Sequence, residues 1–250
     1  EGGSCDFENG TYHYHSGALS EKEYKTAFNE LFAEFQRHAS SFGWRGHDFV
    51  STAIADKVVG VSTKEILTVD NQVESYSKAL VKLGSDHSDL IVLDADLSVD
   101  IGLEAFRSAY PDRFIECGIA EQDMVSVAGG IARAGGLPIV NSFACFLTAR
   151  SNEQIYNNAT EKTKIIYVGS MAGILPGGPG HSHQSVRDIG SLSGIPGLIA
   201  IQPSCAGEIL PILEWMIRNP NQGPYYLRLT NVKQKLSFTL PAKNSIELGC

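Results

Sequence analysis

From residue 66 onward, short apolar runs alternate with segments of helical periodicity. The six apolar runs are residues 90–93, 113–116, 138–140, 164–168, 198–201 and 225–229. Between them, residues 122–134 and 206–218 are long enough to form helices that cross over a sheet. The alternation predicts an α/β fold, a doubly wound and mostly parallel sheet with helices on both faces. Ligands of such sheets bind beyond the carboxyl ends of the strands, so functional residues are expected in the loops that follow the strands.

The composition argues against several classes of protein. The chain has 250 residues, enough for one main domain, and a formal net charge of -8, which gives no basic surface to hold nucleic acid. No apolar run reaches the roughly 18 residues that a membrane span needs. The cysteines are odd in number and never form a C-x-x-C pair, so they indicate neither a disulfide framework nor a zinc site. We therefore expect a cytoplasmic protein with no nucleic-acid or membrane partner.

Residues 20–35 have the pattern of one amphipathic helix. Ser20 and Glu23 have the spacing of a capping box, in which each side chain accepts the other residue's backbone N–H. Apolar side chains follow at helical spacing, beginning with Tyr24 and Phe28. We interpret the glycine-containing stretch 40–64 as a linker that packs on the surface of another part of the protein.

Two loops after predicted strands carry groups whose ordinary explanation is structural. Glu121 follows the second strand and would lie in the first turn of the next helix, where an acidic residue complements the helix dipole. Phe143 and Phe146 follow the third strand at a spacing that is found more often in a core than in a stacking site. Each feature taken alone therefore favours a structural role.

The segment 173–184 is harder to explain as a structural turn, because it contains four glycines, two prolines and two histidines. A turn needs one or two glycines, whereas a loop richer in glycine lets the backbone approach a ligand closely. His181 and His183 could form a metal pair, but no third ligand is evident. The favoured interpretation is a histidine beside a substrate oxygen.

Three motifs, taken together and in this order, resemble the pyrimidine-binding domain of transketolases and their relatives. They are Gly118-Ile119-Ala120-Glu121-Gln122, Phe143-x-x-Phe146 and His183-Gln184. The relatives include deoxyxylulose-phosphate synthases and the beta subunits of 2-oxo acid dehydrogenases. The resemblance covers residues 66–240 and implies thiamine diphosphate as cofactor, with Mg²⁺ bound at its diphosphate.

The resemblance also implies a role for each matching residue. The glutamate that matches Glu121 hydrogen-bonds N1′ of the thiamine pyrimidine, which favours the imino form of the 4′-amino group and lets that group accept a proton. The rings that match Phe143 and Phe146 stack around the pyrimidine. The implied catalytic residues are Glu121, His183 and His13, with His15 as a rival to His13. The implied cofactor-binding residues are Asp96, Ile119, Glu121, Phe143, Phe146 and Arg150, and the implied substrate-binding residues are His13, His183 and Arg228.

By the same resemblance, the chain has three parts and needs a partner. Residues 1–65 match the tail of a diphosphate-binding domain and a linker, residues 66–240 match the pyrimidine-binding domain, and residues 241–250 match the start of a truncated third domain. The family's Gly-Asp-Gly magnesium motif is absent from the sequence, so metal ligands are expected outside this chain. A homodimer or a complementary diphosphate-binding subunit is implied, because family members bind the cofactor between subunits.

The resemblance leaves three functions open. The leading one is a transketolase-like transferase that moves a two-carbon ketol unit between sugar phosphates. The alternatives are the condensation of pyruvate with an aldose phosphate, as in deoxyxylulose-phosphate synthases, and a non-catalytic partner subunit. Two departures from the family pattern bear on the choice. Pro179 replaces an aspartate that, in typical transketolases, recognises a hydroxyl group of the donor substrate, and Ala149 replaces a third aromatic residue.

Overall fold

The computed structural model describes residues 20–41, 68–219, 223–236, 238 and 240. The chain divides into two compact units, the first made of residues 1–65 and 177–180 and the second of residues 66–176 and 181–250. Of the predicted first part, 1–65, only residues 20–41 are described. The predicted third part, 241–250, lies wholly outside the described residues.

The helix predicted after Ser20 is present in the first unit as α1, Glu21–Ser41. The Ser20 N–H donates to Glu23 Oε2 at 2.8 Å, and the Glu23 N–H donates to Ser20 Oγ at 3.3 Å. The predicted capping box therefore forms, and it satisfies backbone donors that the helix itself leaves unpaired. The rings of Tyr24 and Phe28 lie on one side of the helix with centroids 6.3 Å apart, as residues four apart should.

The second unit contains the predicted parallel sheet. Its strands are β1 Thr68–Asp70, β2 Leu90–Asp94, β3 Phe114–Glu116, β4 Leu137–Phe143, β5 Ile166–Ser170, β6 Ile199–Ile201, β7 Tyr225–Arg228 and β8 Gln234–Leu236. The strands from β2 to β7 form one sheet in the order β3-β2-β4-β5-β7-β6, and every neighbouring pair is parallel. Each of these strands lies on one of the six predicted apolar runs, so the predicted sheet is confirmed. The antiparallel pair of β1 and β8 was not predicted.

The helices of the second unit are α2 Gln72–Asp86, α3 Glu104–Ala109, α4 Glu121–Arg133, α5 Ala144–Arg150, α6 Asn152–Thr160, α7 Asp188–Leu192 and α8 Ile209–Arg218. The predicted helix at 122–134 corresponds to α4. The predicted helix at 206–218 begins instead with a 3-10 turn at Ala206–Glu208 and becomes α-helical at Ile209. Pro211 explains this start, because proline has no N–H and is tolerated only in the first turn of an α-helix.

Both faces of the sheet are buried, which is why its strands appear in the sequence as continuous apolar runs. All seven residues of β4 are buried. Ile139 packs with side chains of α2 and α8, whereas its neighbour Val140 packs with side chains of α4 and α6. Successive side chains of a strand point to opposite faces, so helices cover the sheet on both sides as predicted.

The chain changes direction across the sheet at β2. β3 follows β2 in sequence and pairs with one of its edges, whereas β4 pairs with the other edge. The connections that leave these strands therefore diverge, and the crevice at such a switch point is the usual ligand position in doubly wound sheets. Asp96, Glu121 and Phe143 lie at or soon after the carboxyl ends of β2, β3 and β4, respectively.

Two adjacent glycines of α4 give a matched test of its packing against α6. A β-carbon at Gly129 would collide with the side chain of Asn158, which donates to Val125 O at 2.9 Å and to Tyr167 Oη at 3.2 Å. A β-carbon at Gly130 would meet no atom within 4 Å. We expect Gly129→Ala to lower the free energy of unfolding by about 1 to 3 kcal/mol, because Asn158 must move and give up these bonds. Gly130→Ala should raise the free energy of unfolding by about 0.5 to 1 kcal/mol, because alanine favours the helix more than glycine does. Urea unfolding measures the change in each variant, and equal changes would contradict the described packing of Gly129 against Asn158.

Candidate functional site

Glu121 is the first residue of α4 and is buried, with only 4% of its surface exposed. An acidic residue that merely complements a helix dipole would ordinarily remain in water. Gly118, at a φ of 67°, turns the chain between β3 and α4 in a conformation that glycine adopts without strain. A carboxylate buried in this way needs a partner within the protein.

That partner is Arg150, the last residue of α5. Its Nη1 donates to Glu121 Oε1 at 2.6 Å. The Arg150 Cζ atom lies 3.9 Å from the centroid of the Phe146 ring, which adds a cation–π contact. The Arg150 carbonyl oxygen accepts a hydrogen bond from Gln122 Nε2 at 3.0 Å. Hydrogen bonds from the side chain and the main chain of Arg150 thus connect the start of α4 to the end of α5.

Phe143, Phe146 and His183 form a group of three rings. The two phenylalanine centroids are 5.8 Å apart, and His183 meets both rings edge-on, at 6.0 Å from Phe143 and 5.1 Å from Phe146. Nδ1 of His183 lies 3.0 Å from Ser182 Oγ. Phe143 is buried within the core, whereas Phe146 is only partly buried. The three sequence motifs therefore meet through one chain of contacts, which runs from Glu121 through Arg150 and Phe146 to His183.

A cleft of ≈ 560 Å³ opens beside the Glu121–Arg150 pair. It is lined by Ile119, Ala120, Glu121, Gln122, Asp123, Ala149 and Arg150. The Ile119 side chain is largely in solvent, with 73% of the residue exposed. Ala149 lines the cleft at the position where the resemblance predicts a third aromatic side chain, so its small methyl group leaves this space open.

Two carboxyl groups that sequence reasoning did not identify lie at the ends of β2 and β3. Asp94 and Glu116 are paired residues in the register of these strands. Asp94 is fully buried, its Oδ2 accepts the Leu97 N–H at 3.0 Å, and its Oδ1 has no hydrogen-bond partner. Burial above all raises the pKa of Asp94 from 3.8 to about 7; backbone hydrogen bonds lower it, and the charge of Glu116 raises it further. The predicted cofactor residue Asp96 is exposed just beyond this pair.

Arg228 ends β7 and is held by another buried acidic residue, Asp188. Its Nε donates to Asp188 Oδ2 at 2.6 Å, and the Tyr226 hydroxyl donates to the same oxygen at 2.9 Å. Arg228 Nη1 donates to Gln202 Oε1 at 2.6 Å, and Nη2 donates to the Ser185 carbonyl oxygen at 3.3 Å. The last bond links Arg228 to the segment that carries His183. Sequence reasoning missed Asp188, although an aspartate five residues after His183 in the same loop region was a signal available to it.

The other predicted site residues, His13 and its rival His15, lie outside the described residues. In the part of the chain that the structure describes, no group of three or more His, Cys, Asp or Glu side chains is placed to hold a metal ion. No described helix combines the length and the apolar character that crossing a membrane requires.

The buried carboxyl of Asp94 predicts an unusual pH dependence of stability. The folded chain keeps this proton up to about pH 7, whereas the unfolded chain loses it near pH 4. The unfolded state therefore binds fewer protons in this interval, and the free energy of unfolding should fall as the pH rises through it, by roughly 2 to 4 kcal/mol from this group. Asp94→Asn cannot titrate and should remove this fall in urea unfolding curves between pH 4.5 and 7.5, whereas the exposed control Asp112→Asn should keep it. Parallel pH profiles for wild type and Asp94→Asn would contradict the assignment.

Comparison with known proteins identifies the family to which this arrangement belongs. Residues 71–235 match the protein family described as transketolase, pyrimidine binding domain. A putative transketolase C-terminal section from Methanocaldococcus jannaschii is 31% identical over 177 residues, which cover 70% of this chain and 55% of the relative. Transketolase-like protein 2 from Mus musculus is 42% identical over 167 residues, which cover 66% of this chain and 26% of the relative. A 1-deoxy-D-xylulose-5-phosphate synthase from Dictyoglomus thermophilum is 30% identical, over 70% of this chain and 28% of the relative.

Solved structures agree with the sequence comparison. A structure titled split gene transketolase, inactive beta4 tetramer, superimposes with a TM-score of 0.62 at 30% identity, over 73% of this chain and 58% of that chain. Transketolase from Campylobacter jejuni superimposes with a TM-score of 0.64 at 17% identity, over 80% of this chain and 32% of that chain, which shows the shared fold. The matches span between about a quarter and just over half of the length of the relatives. Because the family match extends over residues 71–235 of the 250, this chain belongs to the transketolase pyrimidine-binding domain family.

Proposed function

We propose that this chain is the pyrimidine-binding part of a thiamine-diphosphate-dependent, transketolase-like transferase that moves a two-carbon ketol unit between sugar phosphates. The observation that carries the proposal is the buried Glu121 carboxylate, which lines a cleft of ≈ 560 Å³ and accepts a hydrogen bond from the Arg150 guanidinium that stacks on the Phe146 ring. Membership of the family supports the cofactor and the class of reaction.

The described residues fit the pyrimidine half of the cofactor, and the position of Arg150 illustrates the fit. Its guanidinium is planar, stacks on the Phe146 ring and donates to Glu121 Oε1. An aminopyrimidine is also planar, and with a proton on N1′ it would make the same two contacts. Binding of the cofactor in this place would require the Arg150 guanidinium to move aside or to share Glu121.

Glu121 would hydrogen-bond N1′ and hold a proton there, which is the role of a general acid–base group. When bound, the cofactor supplies the carbon nucleophile and takes up the electron pair released as a carbon–carbon bond of the ketose breaks. His183 has its Nδ1 beside Ser182 Oγ, which leaves Nε2 for a substrate oxygen. The phenylalanine rings would exclude water from the Glu121 carboxyl and so strengthen its hydrogen bond.

Arg228 is proposed to bind a substrate phosphate through a single donor. A guanidinium has five N–H groups, and Arg228 uses four of them in its bonds to Asp188, Gln202 and the Ser185 carbonyl oxygen. One N–H on Nη1 remains. A bidentate contact to phosphate would require Gln202 to move away, whereas Asp188 fixes the orientation of the guanidinium plane.

The diphosphate and Mg²⁺ are proposed to be held by a complementary diphosphate-binding subunit or by the other subunit of a homodimer. Six exposed apolar side chains lie in segments that follow the carboxyl ends of β2, β3 and β5; they are Val99, Ile119, Ile174, Leu175, Val186 and Ile189. Exposed apolar groups at this edge of the sheet are consistent with a surface that another protein covers. The related split-gene transketolase, whose beta4 tetramer is inactive, supports the need for a partner.

Condensation of pyruvate with an aldose phosphate is the second candidate function. The Dictyoglomus thermophilum relative named 1-deoxy-D-xylulose-5-phosphate synthase favours it, as does Pro179 at the position of an aspartate that reads the donor hydroxyl in typical transketolases. A non-catalytic partner subunit is disfavoured, because such a subunit has no need of a buried carboxylate combined with stacked rings and a histidine.

The catalytic role of Glu121 predicts a loss of turnover that exceeds any loss of folding. In the enzyme assembled with its diphosphate-binding partner, Glu121→Gln should reduce kcat by about 100-fold or more, because the amide cannot hold a proton at N1′. The matched control is Glu153→Gln, which removes an exposed acidic residue from the first turn of α6. Unchanged turnover in Glu121→Gln, with both variants folded by circular dichroism, would overturn the assignment.

A substrate assay separates the two candidate reactions. Ketol transfer should convert a ketose phosphate and an aldose phosphate into the exchanged pair without release of carbon dioxide. The second reaction requires pyruvate and releases one carbon dioxide for each product formed. Coupled assays with each substrate pair on the assembled enzyme measure the difference, and product formed only with pyruvate would replace the ketol-transfer proposal.

A further inference from the structure

We propose that Glu116 is a positioning residue that joins two loops of the site, the one that carries Asp96 and the one that leads to Glu121. The Oε1 atom of Glu116 accepts the backbone N–H of Asp96 at 2.9 Å and the backbone N–H of Gly118 at 2.8 Å. A single carboxylate oxygen therefore connects the segment after β2 to the segment after β3. The consequence for catalysis rests on the proposed function, whereas the contact itself does not.

Both amides that Glu116 binds belong to residues with a left-handed backbone. Asp96 has a φ of 60° and Gly118 a φ of 67°. This region is open to glycine but costs a residue with a side chain of order 1 kcal/mol, so Asp96 persists there only because its surroundings hold it. Hydrogen bonds to an ionised carboxylate are about twice as strong as neutral ones, which suits Glu116 to that task.

Main-chain hydrogen bonds within the same loops connect the Glu116 contacts to the position of Glu121. The Cys117 N–H donates to the Asp94 carbonyl oxygen at 2.9 Å, so the two loops are also joined through the main chain. The Ala120 N–H donates to the Gly118 carbonyl oxygen at 2.7 Å, which fixes the last residue before Glu121. Movement of Gly118 would therefore change where Glu121 enters α4.

Glutamate is an unfavourable residue at position 116, which suggests that its carboxylate has a role beyond forming the strand. Glu116 ends an edge strand beside the fully buried Asp94, and the charge of Glu116 disfavours ionisation of that buried carboxyl. Glutamate is also depleted in β-strands relative to β-branched residues. A threonine or valine at this position would extend the strand without that cost, but neither offers a carboxylate to both amides.

Hydrogen exchange of the full chain tests the restraint without any cofactor. We expect Glu116→Ala to speed the exchange of the Asp96 and Gly118 amides at least tenfold, and Glu116→Gln, which keeps an amide oxygen as acceptor, to give a smaller increase. The control is the Leu137 amide, which donates to the Asp89 carbonyl oxygen at 2.9 Å at the opposite, amino end of β4 and should be unchanged. Unchanged exchange at Asp96 and Gly118 would overturn the proposal. If Glu116→Ala does not fold, exchange is measured in Glu116→Gln, and unchanged exchange at Asp96 and Gly118 in that variant would overturn the proposal.

Steady-state kinetics of the assembled enzyme then test the functional consequence. Glu116→Ala should raise the thiamine diphosphate concentration needed for half-maximal rate about tenfold and lower kcat less than threefold, and Glu116→Gln should recover at least half of the lost affinity. Equal cofactor affinity in all three proteins would overturn the positioning role. A third outcome separates the two proposals. If Glu116→Ala speeds exchange at Asp96 and Gly118 but the wild-type assembly binds no cofactor, the loop restraint is supported and the proposed function is rejected.

Discussion

Burial of both faces of the parallel sheet is the constraint on which the rest of the structure depends. Because helices cover both sides, nearly every strand side chain must be apolar, and polar groups collect where the strands end. Glu121, Asp94 and Arg228 all lie at or just beyond carboxyl ends of strands. The fold thus concentrates its chemistry at one edge, and the reversal of direction at β2 opens a crevice there.

The charges at this edge are organised in pairs that restrict what each group can do. Arg150 neutralises the buried Glu121, and Asp188 orients Arg228. Burial without a cationic partner gives Asp94 a raised pKa instead. The site therefore combines the Glu121 carboxylate paired with an arginine, Arg228 with one unused N–H donor, and the Asp94 carboxyl, whose pKa is about 7. A ligand that binds to Glu121 must therefore replace an existing hydrogen-bond partner.

Sequence reasoning predicted the sheet and grouped motif residues that lie together in the structure, because both depend on local patterns. The apolar runs mark buried strands directly, and the motifs around Glu121, Phe146 and His183 could be recognised as a set. The Glu116–Asp96 contact could not be predicted, because it depends on the register between β2 and β3. The Asp188–Arg228 contact joins residues far apart in sequence, so no local pattern reveals it either. The β1–β8 pair was missed for the same reason, since its two short strands are far apart in the chain and β8 contains the polar residues Gln234 and Lys235.

Glu121 is proposed to be the hydrogen-bond partner of a thiamine pyrimidine, and a structure of the assembled enzyme with bound thiamine diphosphate would test that assignment. The quantity to measure is the distance from the Glu121 carboxylate oxygens to N1′ of the pyrimidine. We predict a separation of about 2.6 to 3.2 Å, with the pyrimidine against the Phe146 ring where the Arg150 guanidinium now lies. A bound cofactor whose N1′ lies beyond hydrogen-bond reach, with Glu121 still paired to Arg150, would contradict it.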